Sequence, residues 1–156
     1  MRILHIRYSN LKKLPLAFEN FKKLEQLSLR GNWDLDLAQS FKILGKIKTL
    51  KTLDLSFSRI EKLPKEICEL KNIVTLYLSN WKYCCQMMDF IGSTPFNNVK
   101  KLPKAASEMK SLKNLFLWNW NTTEKEKKKM QAILPNTKIE FDVEKPVLTP
   151  NLILLK

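Results

Sequence analysis

Few side chains in this chain could carry covalent chemistry. The single histidine, His5, has no nucleophile at a recognisable spacing, and three glycines leave no phosphate-cradling loop. Cys68, Cys84 and Cys85 are the only cysteines. Bridging the adjacent Cys84 and Cys85 would be strained, and no CxxC pattern or histidine partner completes a metal site. Asp54 is a lone carboxylate between uncharged neighbours. These residues predict no enzyme, no cofactor and no metal. Non-covalent contact remains as the chain's chemistry. Its materials are aromatic side chains and an excess of base, 28 Lys and Arg against 15 Asp and Glu, for a net charge of +13. Such a charge invites a nucleic-acid or anionic-surface reading, which depends on where the lysines fall.

The elements that must position these groups are repeats. Leu50-x-x-Leu53-x-Leu55 reads as one brief strand, because period 2 puts Leu53 and Leu55 on one face. Ile60, Leu63, Pro64, Ile67 and Leu70 then mark a return path of turns or irregular helix, since Pro removes a backbone donor. Copies of this coil begin at residues 1, 24, 50, 73 and 112, with a degenerate one at 136, at spacings of 23, 26, 23, 39 and 24. At 156 residues the chain is one domain's worth, and five to six coils suffice for a continuous core.

The pattern of leucines, with the pairs Leu14-Pro15, Leu63-Pro64 and Leu102-Pro103, resembles the leucine-rich repeat family, in the form of a bacterial-type short solenoid. The resemblance covers residues 1–143. It implies an α/β solenoid of about five to six coils, with a parallel concave β-sheet and an irregular or helical convex side, and it says little about the ligand.

The coils differ in ways that predict local structure. Coil one enters directly on its strand, so Met1, Leu4 and Ile6 face an open edge, and a homodimer through paired first coils is expected. Coil two lacks Pro, and Leu35, Leu37, Phe41, Leu44 and Ile47 predict a helix of roughly ten residues starting near Asp36. Coil four carries an apolar insertion over about residues 82–97. In coil five, Thr123-Glu-Lys-Glu126 reads as a capping box, and Met130, Ile133 and Leu134 form the inward face of a helix that Pro135 stops. The tail, 144–156, holds Leu152-Ile-Leu-Leu155 and is expected to cap the core. Cys68, beside Ile67, is expected to be a buried or half-buried thiol. The N-terminus has no apolar h-region, no run is long and apolar enough to span a membrane, and cysteines are sparse. Together these favour the cytoplasm.

Equivalent positions of stacked coils form columns about 4.8 Å apart. The position between the strand leucines reads His5, Ser28, Asp54, Tyr77, Phe116 and Glu140. The position after them reads Arg7, Arg30, Ser56, Ser79, Trp118 and Asp142, and the next reads Tyr8, Gly31, Phe57, Asn80, Asn119 and Val143. All are expected on the concave sheet. This surface grades from basic at the N-terminal end to aromatic at the C-terminal end. Arg30, Asp54, Phe57, Tyr77, Phe116 and Trp118 are therefore the predicted binding residues for a protein partner. Trp81 and Trp120 stand where the family has a turn asparagine, so the sequence supplies no such ladder residue there. Lys22, Lys48, Lys71 and Lys110 form one column, and Lys13, Lys62 and Lys101 another, both on turns off the concave face. No aromatic-interleaved strip accompanies them, so nucleic acid or an anionic surface is the second reading and self-association the third.

Overall fold

The computed structural model describes residues 1–80, 97, 99–120 and 122–141. Six three-residue strands pair in parallel in chain order: β1 (Ile3–His5), β2 (Gln26–Ser28), β3 (Thr52–Asp54), β4 (Thr75–Tyr77), β5 (Asn114–Phe116) and β6 (Lys138–Glu140). The register is unbroken. Leu4, Leu27, Leu53, Leu76, Leu115 and Ile139 lie side by side, and each strand's next residue points to the opposite face. The strands are short because only the Leu-x-Leu alternation is satisfied by pairing. The flanking residues continue the backbone ladder as single bonds, such as Leu29 N–H to Asp54 O at 2.8 Å and Leu78 N–H to Phe116 O at 2.9 Å.

The return paths follow Pro where Pro is present. Pro15, Pro64 and Pro103, with φ of −60°, −71° and −65°, precede the 3-10 segments Leu16–Asn20, Lys65–Glu69 and Lys104–Glu108. Each buries one apolar residue, Phe18, Ile67 or Ala106. The Pro carbonyl accepts that residue's N–H in all three, so the fixed ring starts the turn and leaves no donor unpaired. Coil two, without Pro, forms helix α1 (Leu37–Leu44), capped by Asp36, whose carboxylate accepts the Gln39 N–H at 2.9 Å. Gly45 ends it under the next coil: a Cβ there would meet the Glu69 carbonyl oxygen at 2.5 Å. Coil five forms helix α2 (Glu124–Ile133) with the reciprocal Thr123–Glu126 capping box. Two contacts from Thr123 hold the Glu126 carboxyl below its ordinary range. Met130 and Leu134 are buried and Ile133 is half-buried, while Cys68 is a free, half-buried thiol.

The expected gap in the asparagine ladder is filled by a residue beyond the repeat pattern. Asn32 is buried. Its Nδ2 donates to the Ile6 and Leu29 carbonyls, and its Oδ1 accepts the Ser9 and Leu11 amides. Asn97 reproduces this set two coils further on. Its Nδ2 donates to Leu55 O at 3.1 Å and Leu78 O at 2.9 Å, and its Oδ1 accepts the Ser58 and Ile60 amides, both at 3.0 Å. Asn97 therefore belongs to the coil and not to the insertion. The Asn80 side chain also brackets it, accepting its N–H and donating to its C=O, each at 2.8 Å. In coil five the buried Trp120 substitutes its indole N–H, donating to Leu78 O at 2.8 Å. The departure at residue 120 thus keeps the donor and changes its carrier. Trp81, Cys84, Cys85, the rest of the insertion up to residue 96, Asp142, Val143 and the tail 144–156 lie outside the described residues.

Two stability measurements test this account. Asn97→Ala strands two amides and two carbonyls in the interior and should cost about 3 kcal/mol or more in urea unfolding, against about 0.5 kcal/mol or less for the exposed Asn20→Ala. A chain in which Asn80 is joined directly to Asn97 restores a 23-residue coil and should keep its circular dichroism and cooperative melt.

Candidate functional site

The concave face divides into an N-terminal polar half and a C-terminal aromatic half. In the polar half, Arg7 sends Nε to the Ser28 hydroxyl at 3.1 Å and a terminal nitrogen to His5 Nδ1 at 3.1 Å. Ser28 donates onward to Asp54 Oδ2 at 3.0 Å, and Asp54 Oδ1 accepts the Ser56 amide at 2.9 Å. This chain of contacts crosses three strands and holds the Asp54 carboxylate in one orientation. Burial and then the Arg7 charge push the His5 imidazole below its ordinary value, with Asp54 opposing them.

The aromatic half begins at the next strand. Tyr77 stacks on Phe116 with centroids 4.6 Å apart and planes 9° apart, close to the strand pitch. Trp118 meets Phe116 edge-on at 5.0 Å and Tyr77 at 6.4 Å. Its amide is held by Ser79 Oγ at 3.2 Å, and its indole N–H donates to Glu140 Oε2 at 3.3 Å. Lys138 pairs with the other Glu140 oxygen at 2.7 Å. All three rings are half-buried. Tyr77 has its phenol raised above the ordinary value, first by burial and then by the carboxylates of Asp54 and Glu140, which disfavour a further negative charge.

Arg30 and Phe57 lie apart from this trio, on the turn side. The Arg30 guanidinium sits 4.6 Å from the Phe57 ring centroid and 5.9 Å from that of Tyr8, and its Nε donates to the Tyr8 hydroxyl at 3.1 Å. Tyr8, Gly31 and Phe57 occupy one column and all have positive φ, of 50°, 72° and 59°. Gly31 is required twice over, since a side chain there would run into the Tyr8 ring as well as strain the backbone. The six predicted residues thus form two groups: Asp54 with Tyr77, Phe116 and Trp118 on the sheet, and Arg30 with Phe57 on the turn. Five column members expected on the open surface, Ser28, Gly31, Ser56, Ser79 and Asn80, are buried instead; the Ser28 and Ser79 hydroxyls bond to neighbouring strands, and the Asn80 side chain bonds to Asn97. Glu140 was in the column but not among the predicted binding residues, and only its two contacts show its part.

Elsewhere, Met1 is exposed and Leu4 and Ile6 are half-buried at the outer edge of β1. All seven column lysines are exposed on the turns. Among the described residues, no group of His, Cys, Asp and Glu is placed to hold a metal, and no helix is long and apolar enough to cross a membrane.

No protein-family model matches the chain. Over 82% of its length it superposes on an LRR protein of Leptospira interrogans, with a TM-score of 0.58 and 29% identity. The chain has the leucine-rich repeat fold. It spans 28% of that leptospiral LRR chain. An internalin of Listeria monocytogenes aligns over the same share, at 19% identity and a TM-score of 0.45, with 37% of that chain covered. In sequence, the LRR chain is 35% identical over 72 residues to the volume-regulated anion channel subunit LRRC8A of Rattus norvegicus, Mus musculus and Homo sapiens. The match takes in 45% of this chain and 9% of each of those relatives.

The titration of Tyr77 tests the site's electrostatics. Its raised phenol pKa means that the associated stability is fully present below the ordinary tyrosine pKa and is lost as pH rises through the raised value. Asp54→Asn should move the Tyr77 midpoint downward, read by NMR of the ring carbons.

Proposed function

We propose that this leucine-rich repeat domain binds a protein partner through its concave face, centred on Tyr77, Phe116 and Trp118, with Asp54 beside them and Arg30 and Phe57 at the rim. The LRR fold is a general protein-interaction module, and the finer reading is supported chiefly by the preorganised trio. Its three rings meet at 4.6–6.4 Å, with Trp118 hydrogen-bonded to Ser79 and Glu140. Rings already fixed lose little freedom on binding, so their area converts into affinity with a small entropic penalty.

A second reading rests on the exposed lysine columns, which suit a nucleic acid or an anionic surface. The two readings part on salt. A protein captured from a lysate of the source cell should stay bound at high salt and lose about 2 kcal/mol of affinity in a Phe116→Ala/Trp118→Ala variant. Nucleic acid that co-purifies at low salt, washes off at high salt and ignores the aromatic substitutions would move the site to the lysines. The third reading, self-association through Met1, Leu4 and Ile6, requires a mass that rises with concentration in sedimentation. A constant monomer mass ends it.

A further inference from the structure

The aromatic stack stops abruptly on one side. Phe116 and Tyr77 sit on adjacent strands and stack at the strand pitch, so the second face of Tyr77 looks along the sheet toward β3. The register places Asp54 there, next to Tyr77, and Ser28 beyond it. Neither side chain is tall enough to continue the stack. The position one pitch beyond Tyr77 is therefore floored by a carboxylate whose orientation is already set by Ser28 and Ser56.

Charge distinguishes this position from the ring faces that cations already occupy. Arg30 stacks on Phe57 at 4.6 Å, Arg59 on Trp33 at 4.1 Å, and Lys127 approaches Phe141 at 5.4 Å. Among the described residues no cation lies over Tyr77, Phe116 or Trp118, and Asp54 makes no ion pair, although the chain carries 28 basic residues. Glu140, at the other end of the trio, already has Lys138 and the Trp118 indole. Of the two carboxylates that flank the trio, Asp54 is the one with no ion pair among the described residues.

We propose that the space between the outer face of Tyr77 and the Asp54 carboxylate seats an arginine side chain of the partner protein, its guanidinium extending the Phe116–Tyr77 stack and pairing with Asp54. This rests on the concave-face reading above and specifies what that face selects. A guanidinium is planar, stacks flat on aromatic faces and offers two parallel N–H donors to a carboxylate, whereas an ammonium meets both the ring and the carboxylate only as a point charge. Each Asp54 oxygen accepts one hydrogen bond and keeps a second lone pair for the newcomer. The Tyr77 phenol is raised first by burial, and the carboxylates of Asp54 and Glu140 add to that in the same direction. A nucleotide base would also fit a stack, but its phosphate would lie in that field.

The test is an NMR titration of the full chain with acetyl-arginine methylamide, alongside its lysine and citrulline counterparts. Saturable shifts at the Tyr77 ring and the Ser56 amide are expected, with the neutral, isosteric citrulline probe weaker by about tenfold or more and lysine intermediate. Asp54→Asn, which keeps an oxygen for the Ser56 amide, should weaken the arginine probe about tenfold. Tyr77→Val, which suits the strand, should abolish the shift at Ser56 and serves equally if the first variant is poorly folded. Absence of binding, equal affinity for citrulline, or indifference to both substitutions overturns the proposal. If the arginine probe fails while Phe116→Ala/Trp118→Ala still releases the captured partner, only the arginine seat is wrong. If capture also survives that substitution, the concave reading falls with it.

Discussion

Parallel pairing of six strands in unbroken register is the constraint on which the rest of the molecule depends. Each strand contributes only three residues, so no strand is stable alone, and each coil is held by the backbone of its neighbours. The repeat turns sequence separation into columns about one strand pitch apart. The apolar column, Leu4 to Ile139, becomes the core, and the column beside it becomes a surface whose chemistry changes strand by strand. Surface chemistry can then be read as a one-dimensional series across the sheet, running from His5 and Ser28, through the Asp54 carboxylate, to stacked rings.

The same stacking imposes a cost at every turn, where amides and carbonyls that leave the ladder must be paired in the interior. Three different solutions meet it. Asn32 serves four backbone groups within an ordinary coil, Asn97 serves four more from beyond a long insertion, and Trp120 supplies a single indole donor. Asn97 shows why the insertion is tolerated. The chain leaves after Asn80 and returns to the next position of the repeat, so the solenoid on both sides keeps its pairing, and the added length carries only a slowly growing closure entropy.

The polarity of the concave face has a physical consequence for what it can hold. A net charge of +13 would by itself favour anionic ligands at long range. The concave aromatic half runs against that trend, since Asp54 and Glu140 flank its rings by register. On the proposed reading, long-range attraction and short-range selection act on different parts of one partner, the exposed lysines on the turns drawing acidic surface and the sheet selecting at contact distance.

Leucine spacing alone determined the coil, its repetition and the core column, because apolar periodicity reports directly which side chains must share a face. Pro after Leu marked the 3-10 returns, and its absence marked α1, because a fixed φ and a missing N–H act locally. The capping box at Thr123 was legible for the same reason. The candidate site was legible only as columns. Which members stand up and which are buried depended on contacts between coils: Ser28 and Ser79 sink because their hydroxyls bond to neighbouring strands, and Arg30 leaves the sheet for Phe57 and Tyr8. The role of Asn97 was invisible for a stricter reason. Its four partners lie 19 to 42 residues away, so no local pattern announces it, and only the stacking of coils brings those backbone groups to one buried side chain.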